Sequence, residues 1–507
     1  MSLMGLDIGT TGCKAVVFNE AGHELARSYR EYPLSHPRPG WVEISPDLIW
    51  HSACQVMQEV NALVTRDPVV ALAISSQGEA VVPVARDGTA LYNFIITFDN
   101  RTLPQAAWWA ENLGAERIFR LTGMPLHPMY SLNKIMWLQA HEPAVVAEAW
   151  KFLCVEDYLI YRLCGETATD PSLAARTMAL DLTTRDWSEE MLRHAGVERS
   201  LLPTVHPSGT GIGTVGHQTA RETGLGPGVV VATGGHDQPC GALGAGAVRP
   251  GMATNATGTS DVLCPAMALP VVNEAMLGSN YCCDPHTSED VYCSIAFNLT
   301  GGLLLRWYRD ILCAEEVNEA RASGRDAYDV ILSRMAPQPA WAFFLPHFVG
   351  AGTPYLDPQA RGALVGLTLD TDKATLTRAV IDSTNYEMKL NIDRMEAAGI
   401  AITELRAIGG GAKSELWLQM KADVFGKPVA VVQTTEAAAL GAAILAGKAA
   451  GLFPRAQAAA EHLAKPRKTF LPDMQQHDDY QRRYQHYLQI YEALAAFHRE
   501  LSATVSG

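Results

Sequence analysis

The stretch Asp7-Ile8-Gly9-Thr10-Thr11-Gly12-Cys13-Lys14 sets a carboxylate at the end of an apolar run, directly before a turn whose glycines let backbone N–H groups approach an anion. That chemistry suits a nucleotide polyphosphate. An aspartate beside phosphates is repelled unless a divalent cation lies between them, so Asp7 implies Mg2+ rather than a bare anion. The plain alternative is a hairpin turn with a solvated aspartate. Against it stands Thr257-Gly258-Thr259-Ser260, where hydroxyls and glycine recur as a second phosphate clamp would need. Thr233-Gly234-Gly235-His236-Asp237-Gln238 follows the apolar run Val229 to Ala232 and is expected to place Asp237 just beyond a strand end, in a loop of small residues. A carboxylate there is able to accept the proton of a hydroxyl that attacks phosphorus, or, more simply, to cap a helix. In Ile408-Gly409-Gly410-Gly411-Ala412-Lys413-Ser414 three consecutive glycines cost backbone entropy. They point either to a flat or anionic group lying on the main chain or to a tight strand-to-helix turn.

The elements that hold these residues repeat. Met4 to Ile8, the Gly/Thr turn and Cys13 to Phe18 read as a hairpin; Gly251 to Ala256, Thr257 to Ser260 and Asp261 to Cys264 read as another about half a chain later. Two successive domains are therefore expected, with the boundary in the small, nearly uncharged run Gly241 to Gly251, read as a hinge: 1–245 and 246–507. Helical spacing is clear from Leu376 to Ala397. Tyr480, Tyr484, Tyr487, Leu488, Tyr491 and Leu494 predict one amphipathic helix docked on the body. The small residues from Thr434 to Ala443 predict a closely packed helix, and Met1-Ser2-Leu3 is expected to be an appendage ahead of Met4.

Composition narrows the class of ligand. The 507 residues are 48% hydrophobic and 19% charged, an ordinary folding mixture. The formal charge of −14 repels phosphate backbones and anionic lipid, so neither nucleic acid nor membrane is an expected partner. Ten scattered cysteines without metal-ligand spacing read as reduced thiols of a cytoplasmic protein, and no apolar run is long enough to span a bilayer. A P-loop is absent; Gly211, Gly213 and Gly216 match G-x-G-x-x-G without a preceding strand and are taken as loop glycines.

These motifs in this order, with Gly362-Ala363-Leu364-Val365-Gly366-Leu367 and Leu376, Ala379, Val380, Ile381 and Asp382 after it, make the chain resemble the FGGY family of carbohydrate kinases over nearly its whole length. Thr375 departs from the acidic or amide residue usual at its place. The resemblance implies an α/β fold of two ribonuclease H-like domains, of the actin, hexokinase and heat-shock chaperone type, with an interdomain cleft holding ATP and sugar. It implies phosphate and nucleotide contacts from Gly9, Thr10, Thr11, Lys14, Gly258, Thr259, Ser260, Gly302, Gly410, Gly411, Ala412 and Ser414, with Asp7 and Asp237 at Mg2+ and Asp237 as catalytic base. On the sugar side it implies Gln77, Gly78, Glu79, Asp99, Arg101, Tyr130, His236 and Asp237. Gly78 lacks the guanidinium of glycerol kinases, and Thr97 replaces a common tryptophan wall. Both are expected to enlarge the pocket and to disfavour glycerol.

The expected activity is transfer of the γ-phosphoryl group of ATP to a hydroxyl of a ketose such as xylulose. L-fuculose, gluconate or another polyol is the alternative acceptor. An actin-like or chaperone-like ATPase switch is the rival class, and a catalytically silent sugar sensor is a third. A small sugar is the expected partner, and a homodimer is admitted.

Overall fold

The computed structural model describes residues 1–505. The first apolar runs form β1 (Ser2–Ile8), β2 (Gly12–Asn19) and β3 (Glu24–Glu31), an antiparallel meander; β4 (Val69–Ser76) and β6 (Val230–His236) extend it in parallel, and β5 (Gly211–Thr214) closes the edge. The sheet order is β5-β6-β4-β1-β2-β3. Its central strands are apolar and buried on both faces, as parallel strands under helices must be.

The second half repeats this plan. β7 (Gly251–Thr257) and β8 (Asp261–Met267) form the second hairpin, β9 (Ile402–Ile408) and β10 (Val429–Val432) add in parallel to β7, and β11 (Pro466–Phe470) closes in antiparallel. On the far side of β8, Tyr292–Cys293 and Asp284–Pro285 continue the sheet toward the first half. Each half is thus a ribonuclease H-like sheet whose first hairpin turn lies at one end of the parallel strands.

Five helices position the site: α1 (Asp237–Gly244), α2 (Gly302–Leu312), α3 (Lys373–Ala397), α4 (Glu415–Phe425) and α5 (Ala437–Ala449). α3 begins three residues before Leu376 because the Asp372 side chain caps it, accepting from the Thr375 N–H at 2.8 Å and its hydroxyl at 2.7 Å. The departure at Thr375 is therefore a second donor to the cap.

Several expectations are corrected. Gly241 to Gly244 is no flexible hinge; it is the buried end of α1, locked against α5. A Cβ on Gly244 would lie 1.9 Å from the Ala437 carbonyl oxygen, and one on Gly441 2.0 Å from that of Cys240. Separately, α5 lies beyond the expected division at 245/246 and packs on β1, β4 and β6 of the first sheet. Ser2 and Leu3 are buried members of β1, not an appendage. Gly211 and Gly213 lie in edge strand β5. The C-terminal tyrosine pattern spans two helices, Met474–Tyr487 and Ile490–Val505, with Tyr480, Tyr484 and Tyr487 buried. Among the described residues no helix is long and apolar enough to cross a membrane.

Candidate active site

Parallel pairing sets Asp7 of β1 beside Ser75 of β4, and Ser75 beside Gly235 of β6, so the carboxyl ends of three strands open on one crevice. Open α/β sheets bind ligands at this edge. The register shifts between Ala232 and Gly235, a bulge that redirects the last residues of β6. It requires Gly234, whose Cβ would lie 1.9 Å from the Ile74 carbonyl oxygen. Asp237 is consequently not in a loop: the strand runs through His236, and Asp237 is the first residue of α1.

About 30% of the Asp237 side chain is open to the crevice. Burial between the walls, followed by the charges of Asp7 and Glu79, pushes its carboxyl up to about 7. Burial likewise raises Asp7, against a hydrogen bond donated by the Ser75 hydroxyl at 2.9 Å. His236 is held neutral, lowered to about 3 by burial and by Arg176, and its Nε2 lies 3.1 Å from Asp237 Oδ1.

Glu79 takes a left-handed backbone (φ 64°), a position that non-glycine residues rarely hold. Its carbonyl accepts from Ser131 Oγ at 2.9 Å and Lys134 Nζ at 2.7 Å, which fixes the turn. Its carboxylate accepts from Arg176 Nε at 2.6 Å and Thr97 Oγ1 at 2.9 Å. Burial pushes this carboxyl up, but the charges of Arg176 and Lys134 and the Arg176 hydrogen bond hold it below the usual range. Arg176 was not anticipated. It belongs to the turn after the helix Pro171–Ala175, reaches Asp284 Oδ2 of the second half at 3.4 Å, and lies 5.4 Å over the ring of Tyr130. Tyr130 is buried and supports this guanidinium.

The expectation of an enlarged pocket is overturned at Gly78. A Cβ on Gly78 would meet His236 Cδ2 at 3.0 Å and Arg176 Cγ at 3.1 Å, so those two side chains fill the space. Thr97 is engaged with Glu79 and the Gly78 carbonyl. Asp99 and Arg101 are corrected too. Asp99 accepts from Val42 N–H at 2.6 Å and from Arg101 Nε and Nη2 at 2.8 and 2.7 Å, while Arg101 also pairs with Glu43 and stacks 3.8 Å from Trp41. They form a self-satisfied buried cluster, not open sugar contacts. Gln77 donates to the Gly9 carbonyl at 3.3 Å and so braces the first turn.

That turn, Gly9 to Thr11, is closed by Gly9 N–H donating to Gly12 O at 2.9 Å. Lys14 sits across the hairpin from Asp7, with its ammonium paired to Glu436, which leads into α5. The second half holds a cavity of about 620 Å³ lined by Gly258, Thr259, Gly302, Gly410, Gly411 and Ser414 among the expected residues. Ser260 and Ala412 are not in its lining. Ser260 shapes the turn through its carbonyl, which accepts from Gly258 N–H at 2.8 Å. Ala412 packs against the core of the second half. Arg306, Asp326, Tyr328 and Trp417 line the same cavity and were not foreseen. They lie on helices and loops whose sequence carries no phosphate-type signal.

Among the described residues no three His, Cys, Asp or Glu side chains cluster to hold a metal. Asp237 nevertheless faces the like charge of Asp7, and Asp7 that of Glu436, the condition a cation relieves. Two carboxylates fit Mg2+ that arrives with phosphates and keeps several waters, as this ion commonly does.

Comparison with known proteins agrees with this geometry. Residues 2–244 match the N-terminal domain of the FGGY family of carbohydrate kinases, and residues 253–450 its C-terminal domain. An autoinducer-2 kinase of Escherichia coli strain K12 is 32% identical over 492 residues, covering 94% of this chain and 92% of that one. A xylulose kinase of Bacillus subtilis is 27% identical over 491 residues, covering 96% of each. The crystal structure of a ligand-bound xylulose kinase from Lactobacillus acidophilus superimposes with a TM-score of 0.90 at 26% identity, covering 99% of both chains.

Proposed function

Because the chain belongs to the FGGY family of carbohydrate kinases, enzymes that use ATP, we propose that it phosphorylates a hydroxyl of a short, neutral hydroxyketone, with xylulose the first acceptor to test. Family membership removes the ATPase-switch and silent-sensor alternatives. The observation that carries the acceptor class is the acidity of the crevice: Arg176 is paired with both Glu79 and Asp284, and Asp237 feels the like charges of Asp7 and Glu79. A sugar acid such as gluconate would bring a further negative charge into that space. A polyol brings hydroxyl donors that carboxylates accept.

In this reading Asp237 takes the proton of the attacking hydroxyl, and a carboxyl near 7 is matched to that task at neutral pH. His236 lies beside Asp237, while Glu79, pinned by Arg176 and Thr97, retains lone-pair capacity for a second acceptor hydroxyl. Backbone N–H groups of Thr10 and Thr11 in the first turn and of Thr259 and Ser260 in the second would face the phosphates from the two halves. Asp7 and Asp237 would hold Mg2+, which when bound neutralises charge on the transferring phosphoryl group. Closure of the halves excludes water and keeps ATP hydrolysis low.

The test is ADP release with xylulose, L-fuculose, autoinducer-2, glycerol and gluconate as acceptors. A neutral ketose is expected to raise turnover far above the acceptor-free rate, and a chelator is expected to abolish it. Preference for gluconate or glycerol would overturn the acceptor class.

A further inference from the structure

Beneath the second phosphate turn lies a buried ammonium that neither the motif nor the cavity lining includes. Lys421 of α4 is 1% exposed. Its Nζ donates to Asn255 Oδ1, to Thr257 Oγ1 at 2.5 Å and to Asp261 Oδ2 at 3.5 Å. Asp261 accepts in addition from Asn255 Nδ2 at 2.6 Å and Thr257 Oγ1 at 3.0 Å. The ring therefore joins both feet of the β7–β8 turn and ties them to α4.

That helix follows the triple-glycine loop directly, and the loop rests on the same threonine. A Cβ on Gly411 would lie 2.7 Å from Thr257 Cβ, and one on Gly409 2.7 Å from the Thr257 carbonyl oxygen. Thr257, Gly258, Gly410 and Gly411 all line the cavity. We propose that Lys421 is a positioning residue that sets the gap between the two backbone loops facing the phosphates, and through it the affinity for the phosphate chain of the nucleotide. The proposal rests on the reading of this cavity as the nucleotide site.

Its test compares binding of the β,γ-imido analogue of ATP with Mg2+ and binding of adenosine, which lacks the phosphates. Lys421→Met is expected to weaken the analogue about tenfold or more, the scale of a lost charge-assisted hydrogen bond, and to leave adenosine within about twofold. The single variant also strands the Asp261 charge, so Lys421→Met with Asp261→Asn is measured beside it. This pair keeps an acceptor oxygen for Asn255 and Thr257 and is expected to regain thermal stability without regaining analogue affinity. Wild-type affinity in either folded variant, or equal losses for analogue and adenosine, would overturn the proposal. A wild-type chain that binds neither would overturn the nucleotide-site reading and this proposal with it.

Discussion

With burial and the charges of Asp7 and Glu79 acting together to push the Asp237 carboxyl up to about 7, a large share of molecules at neutral pH hold it protonated and unable to accept from a sugar hydroxyl. Acceptor kcat/KM is therefore expected to climb roughly tenfold per pH unit below about 7 and to level off above it. A folded-state value above the ordinary 3.8 also means that the native protein binds this proton more tightly than the unfolded chain. The associated stability is fully present below about 3.8 and is lost as pH rises through about 7. Asp237→Asn is isosteric and uncharged. It is expected to cut turnover by at least ~10² while leaving nucleotide binding near wild type, as loss of a general base does. The same variant should melt higher than wild type at pH 8 and alike at pH 4. Full turnover, or a melting gain independent of pH, would contradict the assignment of Asp237 as the strained base.

Asp237, the proposed base, is aimed by α1, whose register is set by its crossing with α5. Gly441 and Gly244 are the two points where backbones meet, with no room for a Cβ on either. Gly441→Val is expected to cost about 1–3 kcal/mol or more through overpacking and to lower kcat, because displacement of α1 moves its first residue, Asp237. Gly278→Ala, where nothing lies within 4 Å, is the matched control and should change stability by less than about 0.5 kcal/mol. An equal effect of the two substitutions would show that the helix crossing does not position the base. The two Gly/Thr hairpins and α3 were legible because turn residues between apolar runs, and apolar residues at helical spacing, are local signals. The small-residue pattern of α5 was legible as well. Its partner was not: the composition of Gly241 to Gly251 fits a hinge and a tight helix crossing equally well, and only contact with α5 distinguishes them. Asp99 and Arg101 were misplaced for a similar reason, since their saturation by Glu43 and Trp41 depends on segments distant in sequence. Lys421 did leave a trace. It falls one turn after Trp417 and beside Ala422 on the apolar face of α4, where a charge calls for a buried partner.

Across the whole molecule, two of the contacts that join the halves bear on the site. One is the α1–α5 crossing; the other is at the acceptor end of the crevice, where Arg176 is shared between Glu79 of the first half and Asp284 of the second. Cys282 donates its thiol to the same Asp284 oxygen at 3.1 Å, and Cys283 N–H donates to the Gly123 carbonyl at 2.8 Å, so this edge of the second sheet is anchored against the first half. In the proposed reading an acceptor hydroxyl that takes the remaining lone-pair capacity of Glu79 weakens the carboxylate's hold on Arg176, and any shift of the guanidinium is felt at Asp284. Glu79→Gln and Asp284→Asn are therefore expected to be non-additive, with an interaction of about 0.5–3 kcal/mol in a double-mutant cycle on acceptor binding. Asp284→Asn alone should raise the acceptor KM and leave the KM for ATP unchanged, since the cavity proposed to hold the nucleotide contains neither Arg176 nor Asp284. Additive effects, or equal changes in both KM values, would mean that Arg176 braces each half independently and that acceptor binding is not transmitted through it.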